Sequence, residues 1–150
     1  MPVPIRLASL ADAEDVARLM ISFRNWTSRS EPGDDSFRAG VRRLLEDPNT
    51  EYLLGGDPPA GVAQLRYRYG LWYAAPDCWL EDLYVADEAR GTGLGRALVE
   101  AALERARERG CRRVELDVDE GNAPALALYE SLGFESGTPE SRNLFMRRRL

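Results

Sequence analysis

The sequence contains no histidine and no lysine; all 20 of its basic residues are arginine. Without imidazole there can be no His-based catalytic triad, no HExxH zinc site and no histidine acid/base chemistry. Without lysine there can be neither a P-loop lysine nor a Schiff base. Cysteine is scarce. Cys78 and Cys111 form no CxxC pair and no disulfide framework, and no basic partner is evident for either, so both are read as packing residues in a reducing, cytoplasmic setting. No metal site is expected. No apolar run approaches the roughly 18 residues of a membrane span. The first residues lack a basic stretch followed by an apolar one, so neither a membrane nor a secretory role is expected. The net charge of −5 argues against a nucleic-acid partner, which calls for a broad basic face. Proton transfer is thereby left to carboxylates, tyrosines, cysteines and water.

What is present is enough for a core. At 150 residues with 44% hydrophobic content, the chain is read as one domain spanning residues 1–150. Ile5 to Ala8 reads as an opening strand. Val16, Leu19, Met20 and Phe23 recur at helical spacing, predicting a helix from Asp12 to about Trp26. Asp34 to Glu46 predicts a second helix, stopped by Pro48. Strands follow at Tyr52–Leu54 and Gly61–Leu71. In the latter, Ala63, Leu65, Tyr67, Tyr69 and Leu71 alternate with Gln64, Arg66 and Arg68, as in a half-exposed strand. Further elements are a strand at Trp79–Val85, a helix from Leu94 to Arg109, a strand at Arg113–Val118 and a helix at Pro124–Leu132. Two short strands, near Phe134 and from Asn143 to Arg148, close the chain; Arg147, Arg148 and Arg149 read as a solvated tail. The order is mixed α/β, with antiparallel hairpins ahead of a β-α-β-α run.

The most informative segment is Arg90-Gly91-Thr92-Gly93-Leu94-Gly95-Arg96, between a predicted strand and a predicted helix. Alternating glycines let a backbone turn its N–H groups around a phosphate, and a helix start adds partial positive charge and free donors. Arg90 and Arg96 can add charge-assisted bonds. The dinucleotide pattern GxGxxG is excluded, because Arg96 stands where the third glycine is required. Taken alone, the same glycines would also suit a turn that binds nothing.

The pattern R-x-x-G-x-G after Leu83-Tyr84-Val85 resembles motif A of the GNAT superfamily of acyl-CoA-dependent N-acyltransferases. Some thirty residues on, Asn122-Ala123-Pro124-Ala125-Leu126-Ala127-Leu128-Tyr129-Glu130-Ser131-Leu132-Gly133-Phe134 resembles the superfamily's N-x-x-A-x-x-L-Y-x-x-x-G-F signature. Order and spacing agree, and the two motifs cover about the last half of the chain. The resemblance implies a GNAT fold: a central, mostly antiparallel sheet with a bulged, splayed parallel strand pair and about four helices. It also implies acetyl-CoA, or a similar acyl-CoA, as co-substrate. By match, Leu83, Tyr84 and Val85 would meet the pantetheine arm through their backbone. Gly91, Thr92, Gly93, Leu94, Gly95 and Arg96, with Arg90, would hold the pyrophosphate. Asn122 and Ala125 would sit near the CoA arm, Asn122 serving equally as a helix cap.

Acyl transfer to an amine requires a deprotonated amine, a stabilised oxyanion and a stabilised thiolate leaving group. The motif implies Tyr129 as the acid beside the CoA sulfur. Leu80-Glu81-Asp82-Leu83-Tyr84-Val85 resembles the L-E-D-x-x-V stretch of the diamine (spermidine/spermine) acetyltransferase branch, implying Glu81 as the base, acting directly or through water, and Glu81 with Asp82 as substrate-binding acids. In a regular strand such neighbours face opposite sides, so only one reaches a cleft unless a bulge intervenes. Trp26, Trp72, Tyr67 and Tyr69 offer aromatic faces for a cation. The expected acceptor is a small cationic amine: a polyamine, a diamine or a basic amino-acid analogue. A protein N-terminus and an aminoglycoside are alternatives, as is a non-catalytic acyl-CoA-binding module. Many members of the superfamily are homodimers; nothing in the sequence fixes the oligomeric state.

Overall fold

In the computed structural model, which describes residues 3–138 and 140–150, five strands join in sequential order into one sheet. They are β1 (Ile5–Leu7), β2 (Thr50–Gly55), β3 (Gly61–Gly70), β4 (Ala75–Val85) and β5 (Val114–Glu115). All neighbours are antiparallel except β4 and β5, which are parallel. The helices are α1 (Ala13–Trp26), α2 (Asp34–Glu46), α3 (Leu94–Glu108) and α4 (Ala123–Ser131). The fold class is therefore the mixed α/β arrangement expected. The chain divides into two units, Met1–Glu115 with the sheet and α1–α3, and Leu116–Leu150 with α4. No helix among the described residues is long and apolar enough to cross a membrane.

Pairing registers assign the two faces of the sheet. Tyr52 pairs Gln64, which pairs Asp82; Leu54 pairs Val62, which pairs Tyr84. Tyr52, Leu54, Val62 and Tyr84 pack in one cluster with Val16, Leu19 and Met20 of α1 and Val41 of α2. The opposite face receives α3. There Gly55 pairs Gly61, and a Cβ on either would lie 2.5–2.9 Å from side-chain carbons of Leu94 or Leu98, so only glycine admits the helix so close. Leu98 is fully buried, and its truncation to Ala would cost about 2–5 kcal/mol.

Several elements depart from the sequence reading. β2 begins two residues earlier, because Glu51 is buried in a polar cluster rather than solvated. β3 is buried on both faces from Gly61 to Leu65, Gln64 included, and turns outward only at Arg68 and Tyr69. β5 is only two residues long. The strands expected near Phe134 and from Asn143 to Arg148 are not formed among the described residues, where only an isolated bridge, Thr138 to Ser141, occurs. An alternating pattern supplies a face but no ladder partner, and a strand needs both. Leu144, Phe145 and Met146 are exposed.

Candidate functional site

The register of β3 against β4 slips at one point. Leu65 pairs Leu80 while Gln64 pairs Asp82, so Glu81 is an extra, unpaired residue. The slip reverses the alternation. Leu80 shares the α3 face with Leu65, whereas Asp82 joins Gln64 and Tyr52 on the α1/α2 face. The two acids thus occupy different settings: Asp82 is half-buried and Glu81 exposed at the bulge. Burial first, and then the Asp82 carboxylate, push the Tyr52 phenol above its usual range, so Tyr52 stays neutral.

Asp82 lines a pocket of about 210 Å³ bounded by α1, the α1–α2 loop and α2. Met20, Phe23 and Phe37 form its apolar wall; Arg24, Arg29 and Glu31 supply charge. Arg24 is committed to the loop. Its side chain is 8% exposed, its Nη1 donates to the Pro32 carbonyl at 2.9 Å, and its Nη2 donates to Asp34 Oδ1 at 2.7 Å. Among the described residues, the side chains of Arg29 and Glu31 have neither a hydrogen-bond nor an ion-pair partner. No motif marks these loop residues, and sequence reasoning missed them. Met20 and Phe23 were legible only as members of an apolar helical stripe.

Beyond the bulge, β4 keeps β3 on one side, through Val85 opposite Gly61. Its parallel pairing with β5 stops at Trp79 opposite Glu115, so Leu83–Val85 present an edge with no strand partner among the described residues. That edge leads to the glycine loop. Gly91 and Gly93 adopt φ of 75° and 86°, a region costly for other residues, and Gly93 is the N-cap of α3. No side chain caps α3, which leaves the N–H groups of its first turn directed outward past exposed backbone. Thr92 Oγ1 donates to the Ala89 carbonyl at 2.5 Å, closing the loop. Arg90 is differently employed from the sequence expectation: its Nε donates to the Val85 carbonyl at 3.0 Å, Asp87 pairs with it at 2.8 Å, and it lies over the rings of Trp26 and Tyr84. It braces the loop. Arg96 lies 3.5 Å from Glu100, one turn on.

In the second unit, Asn122 caps α4, its Oδ1 accepting from the Ala125 N–H at 3.3 Å. The other end of α4 explains the G-F of the signature. Gly133, with φ of 92°, donates its N–H to the Glu130 carbonyl, and Phe134 donates to that of Tyr129 at 3.0 Å. This is the paired bonding of a Schellman cap, whose apolar contact is the edge-on packing of Phe134 against Tyr129, 5.7 Å between centroids. Phe134 is thus a cap residue, and it fixes the tyrosine ring. Burial, and secondarily Asp117, raise the Tyr129 phenol above its ordinary value, so it is neutral and a hydrogen-bond donor.

The remaining candidates fall outside these features. Tyr67 donates to Glu51 Oε1 at 2.6 Å and carries Arg109 over its ring, so its face is taken by the protein's own cation. Trp26 is likewise faced by Arg90, and Tyr69 and Trp72 lie exposed at the β3–β4 hairpin. Cys78 is buried, and burial pushes its thiol up to about 12; the Cys111 thiol is also raised by burial, in keeping with packing roles.

Comparison with known proteins bears on the fold and the family. The acetyltransferase (GNAT) family model matches residues 16–134. The chain is 35% identical over 129 residues to a mycothiol acetyltransferase of Beutenbergia cavernae, an alignment covering 82% of this chain but only 42% of that protein. It is 37% identical over 148 residues to the thialysine N-epsilon-acetyltransferase of Bos taurus, covering 91% and 86%. A solved structure from Arthrobacter sp. FB24, described as that of an acetyltransferase, superposes with a TM-score of 0.88 at 34% identity, over 98% of this chain and 96% of that one. The chain belongs to the acetyltransferase (GNAT) family.

Proposed function

We propose that the chain is an N-acetyltransferase that moves an acetyl group directly from acetyl-CoA to the primary amine of a small cationic acceptor, with residues 1–150 acting as one catalytic domain in the cytoplasm. The observation that carries this reading is the bulge at Glu81, which turns Asp82 into a small pocket on the same strand whose open edge leads to the glycine loop. About 210 Å³ lies below the roughly 300–1,000 Å³ of pockets for drug-sized ligands, which favours a small acceptor over an aminoglycoside or a peptide.

In this reading Gly91–Arg96 bind the pyrophosphate through main-chain N–H groups, with Arg90 as a brace. The backbone of Leu83, Tyr84 and Val85 pairs with the pantetheine amides, as an exposed edge pairs with any extended chain. Asn122 and Ala125 hold the start of α4 near the arm. Acetyl-CoA supplies an activated thioester. Asp82 attracts the ammonium group, and Glu81, reached through water, takes its proton. The amine lone pair then forms the C–N bond as the C–S bond breaks. Tyr129, with its raised phenol, donates a hydrogen bond to the departing sulfur; of the two protons the ammonium nitrogen loses, the one taken by Glu81 passes to solvent and the one shed as the amide forms is gained by the thiolate.

The test is thiol release from acetyl-CoA against polyamines, basic amino acids, aminoglycosides and short peptides. Acceleration by a small amine is expected. Tyr129→Phe should lower kcat about 10²-fold with little change in acetyl-CoA affinity. Acetyl-CoA binding with no acceptor turned over would favour a binding module instead.

A further inference from the structure

The open edge of β4 and the glycine loop are separate stretches of chain, and a side chain joins them. Residues of an antiparallel pair turn their N–H and C=O groups alternately towards and away from the partner strand. Ala86 donates its N–H to the Ala60 carbonyl at 2.8 Å, so its neighbour Val85, paired with Gly61, turns its own groups away from β3 and out to the open edge. Leu83, two residues back in the same register, does likewise. On that edge the Val85 carbonyl accepts from Arg90 Nε at 3.0 Å. Arg90 directly precedes Gly91, so this bond ties the head of the glycine loop to the strand edge.

The guanidinium is held from several sides. Its Nη1 lies 2.8 Å from Asp87 Oδ1, and its carbon lies 5.3 Å from the ring centre of Trp26 and 5.8 Å from that of Tyr84. Trp26 and Phe23 belong to α1, and Phe23 stacks on Tyr84 of β4 with 5.2 Å between ring centres, so the anchor is rooted in the packing of α1 on the sheet. Asp87 compensates the charge of Arg90, which leaves it ill suited to attract a phosphate. The loop has means of its own to keep its shape: Thr92 Oγ1 donates to the Ala89 carbonyl, and Gly91 and Gly93 hold positive φ. What Arg90 governs is where that loop stands against the edge.

We infer that Arg90 is a positioning residue that sets the spacing between the β4 edge and the glycine loop, so that a single acyl-CoA molecule meets both at once. The inference rests on the cofactor site proposed above, with the pantetheine arm on the edge and the diphosphate on the loop. A ligand joined from two parts gains over either part only where the geometry lets both engage. By taking the Val85 carbonyl, Arg90 also leaves the arm a defined set of partners: the N–H of Val85 and both backbone groups of Leu83.

The test is calorimetric titration of the whole chain, as wild type, Arg90→Gln and Arg90→Lys, with acetyl-CoA and with ADP, which carries the diphosphate but no arm. Acetyl-CoA affinity should fall roughly tenfold in both variants, a part of the roughly 10²- to 10⁴-fold that joining two parts can supply. ADP should bind the variants as it binds the wild type, because it engages the loop alone. A loop that had merely lost its structure would weaken ADP as well, and circular dichroism checks the overall fold. An ADP affinity that falls in Arg90→Gln and returns in Arg90→Lys would overturn the inference by making Arg90 a direct charge on the diphosphate. A parallel fall for both ligands in both variants, or an unchanged acetyl-CoA affinity, would overturn it too. Failure of ADP to bind the wild type would remove the proposed cofactor site and the inference with it; that failure shows in the wild type, whereas failure of the inference alone shows only in the variants.

Discussion

Two charged clusters of the sheet unit are built from the same residue types and are wired in opposite ways. At one, Glu51 of β2 is 9% exposed and accepts from Tyr67 of β3 and Arg105 of α3, with Arg109 3.7 Å away. Burial alone would raise its carboxyl, but these bonds and charges outweigh it and hold the group below its usual value. At the other, Arg29 and Glu31 line a pocket and have no side-chain partner among the described residues. The first cluster spends its charges on binding two strands to a helix. The second leaves them available. The two clusters differ in pairing rather than in residue type.

Substitutions should separate the two roles. The largest stability effect is expected at Glu51→Gln, which strands Arg105 beside a buried acceptor site and should cost about 3 kcal/mol in a denaturant titration, with the surviving folded enzyme retaining its acceptor preference. Asp82→Asn should do the opposite, lowering kcat/KM for a small amine by roughly 10- to 100-fold while the midpoint of thermal unfolding moves by only a few degrees. Arg24→Gln is the intermediate case, since Arg24 lines the pocket but is spent on the loop. Loss of about 1–2 kcal/mol together with a several-fold rise in acceptor KM would place it between the clusters. The smallest effect concerns Asp12, held at about 2 by hydrogen bonds from Arg6 and the Ser9 backbone. Its folded value is depressed, so its contribution is complete above the unfolded value near 4 and is lost as pH falls through about 2. Arg6 is half exposed, so Asp12→Asn should remove only about 1 kcal/mol at pH 7, and the difference from wild type should vanish in acid titration.

Much of the helical frame was legible from spacing. α2 has the bounds read from the sequence, and α1 and α4 differ by one residue at the ends affected, because caps and apolar stripes are local signals. The glycine loop was legible for the same reason: Gly91 and Gly93 stand where positive φ is needed. What could not be read depends on partners. Thr50 and Glu51 look like loop residues until Arg105, 54 positions on, covers Glu51. Asn143–Arg148 has the alternation of a strand but no described neighbour to pair with. The pocket-lining loop residues Arg29 and Glu31 carry no pattern, since an exposed loop has no periodicity to mark them. A bulge was legible only through the family resemblance, and its position emerges only from the register.

That register has a consequence for how the site can vary. Leu80 and Asp82 lie on opposite faces although two residues apart, because Glu81 between them has no partner on β3. Replacing Glu81 by another residue preserves the count, so the acid stays in the pocket whatever chemistry Glu81 itself contributes. Removing the residue would let Asp82 follow Leu80 directly in a regular ladder, still opposite Gln64 and on the same face, so that only the bulge and Glu81's own contribution are lost. Substitution and deletion at position 81 would thus differ in what they do to the bulge and to Glu81's own chemistry, and would both leave Asp82 on the face of Gln64 and Tyr52.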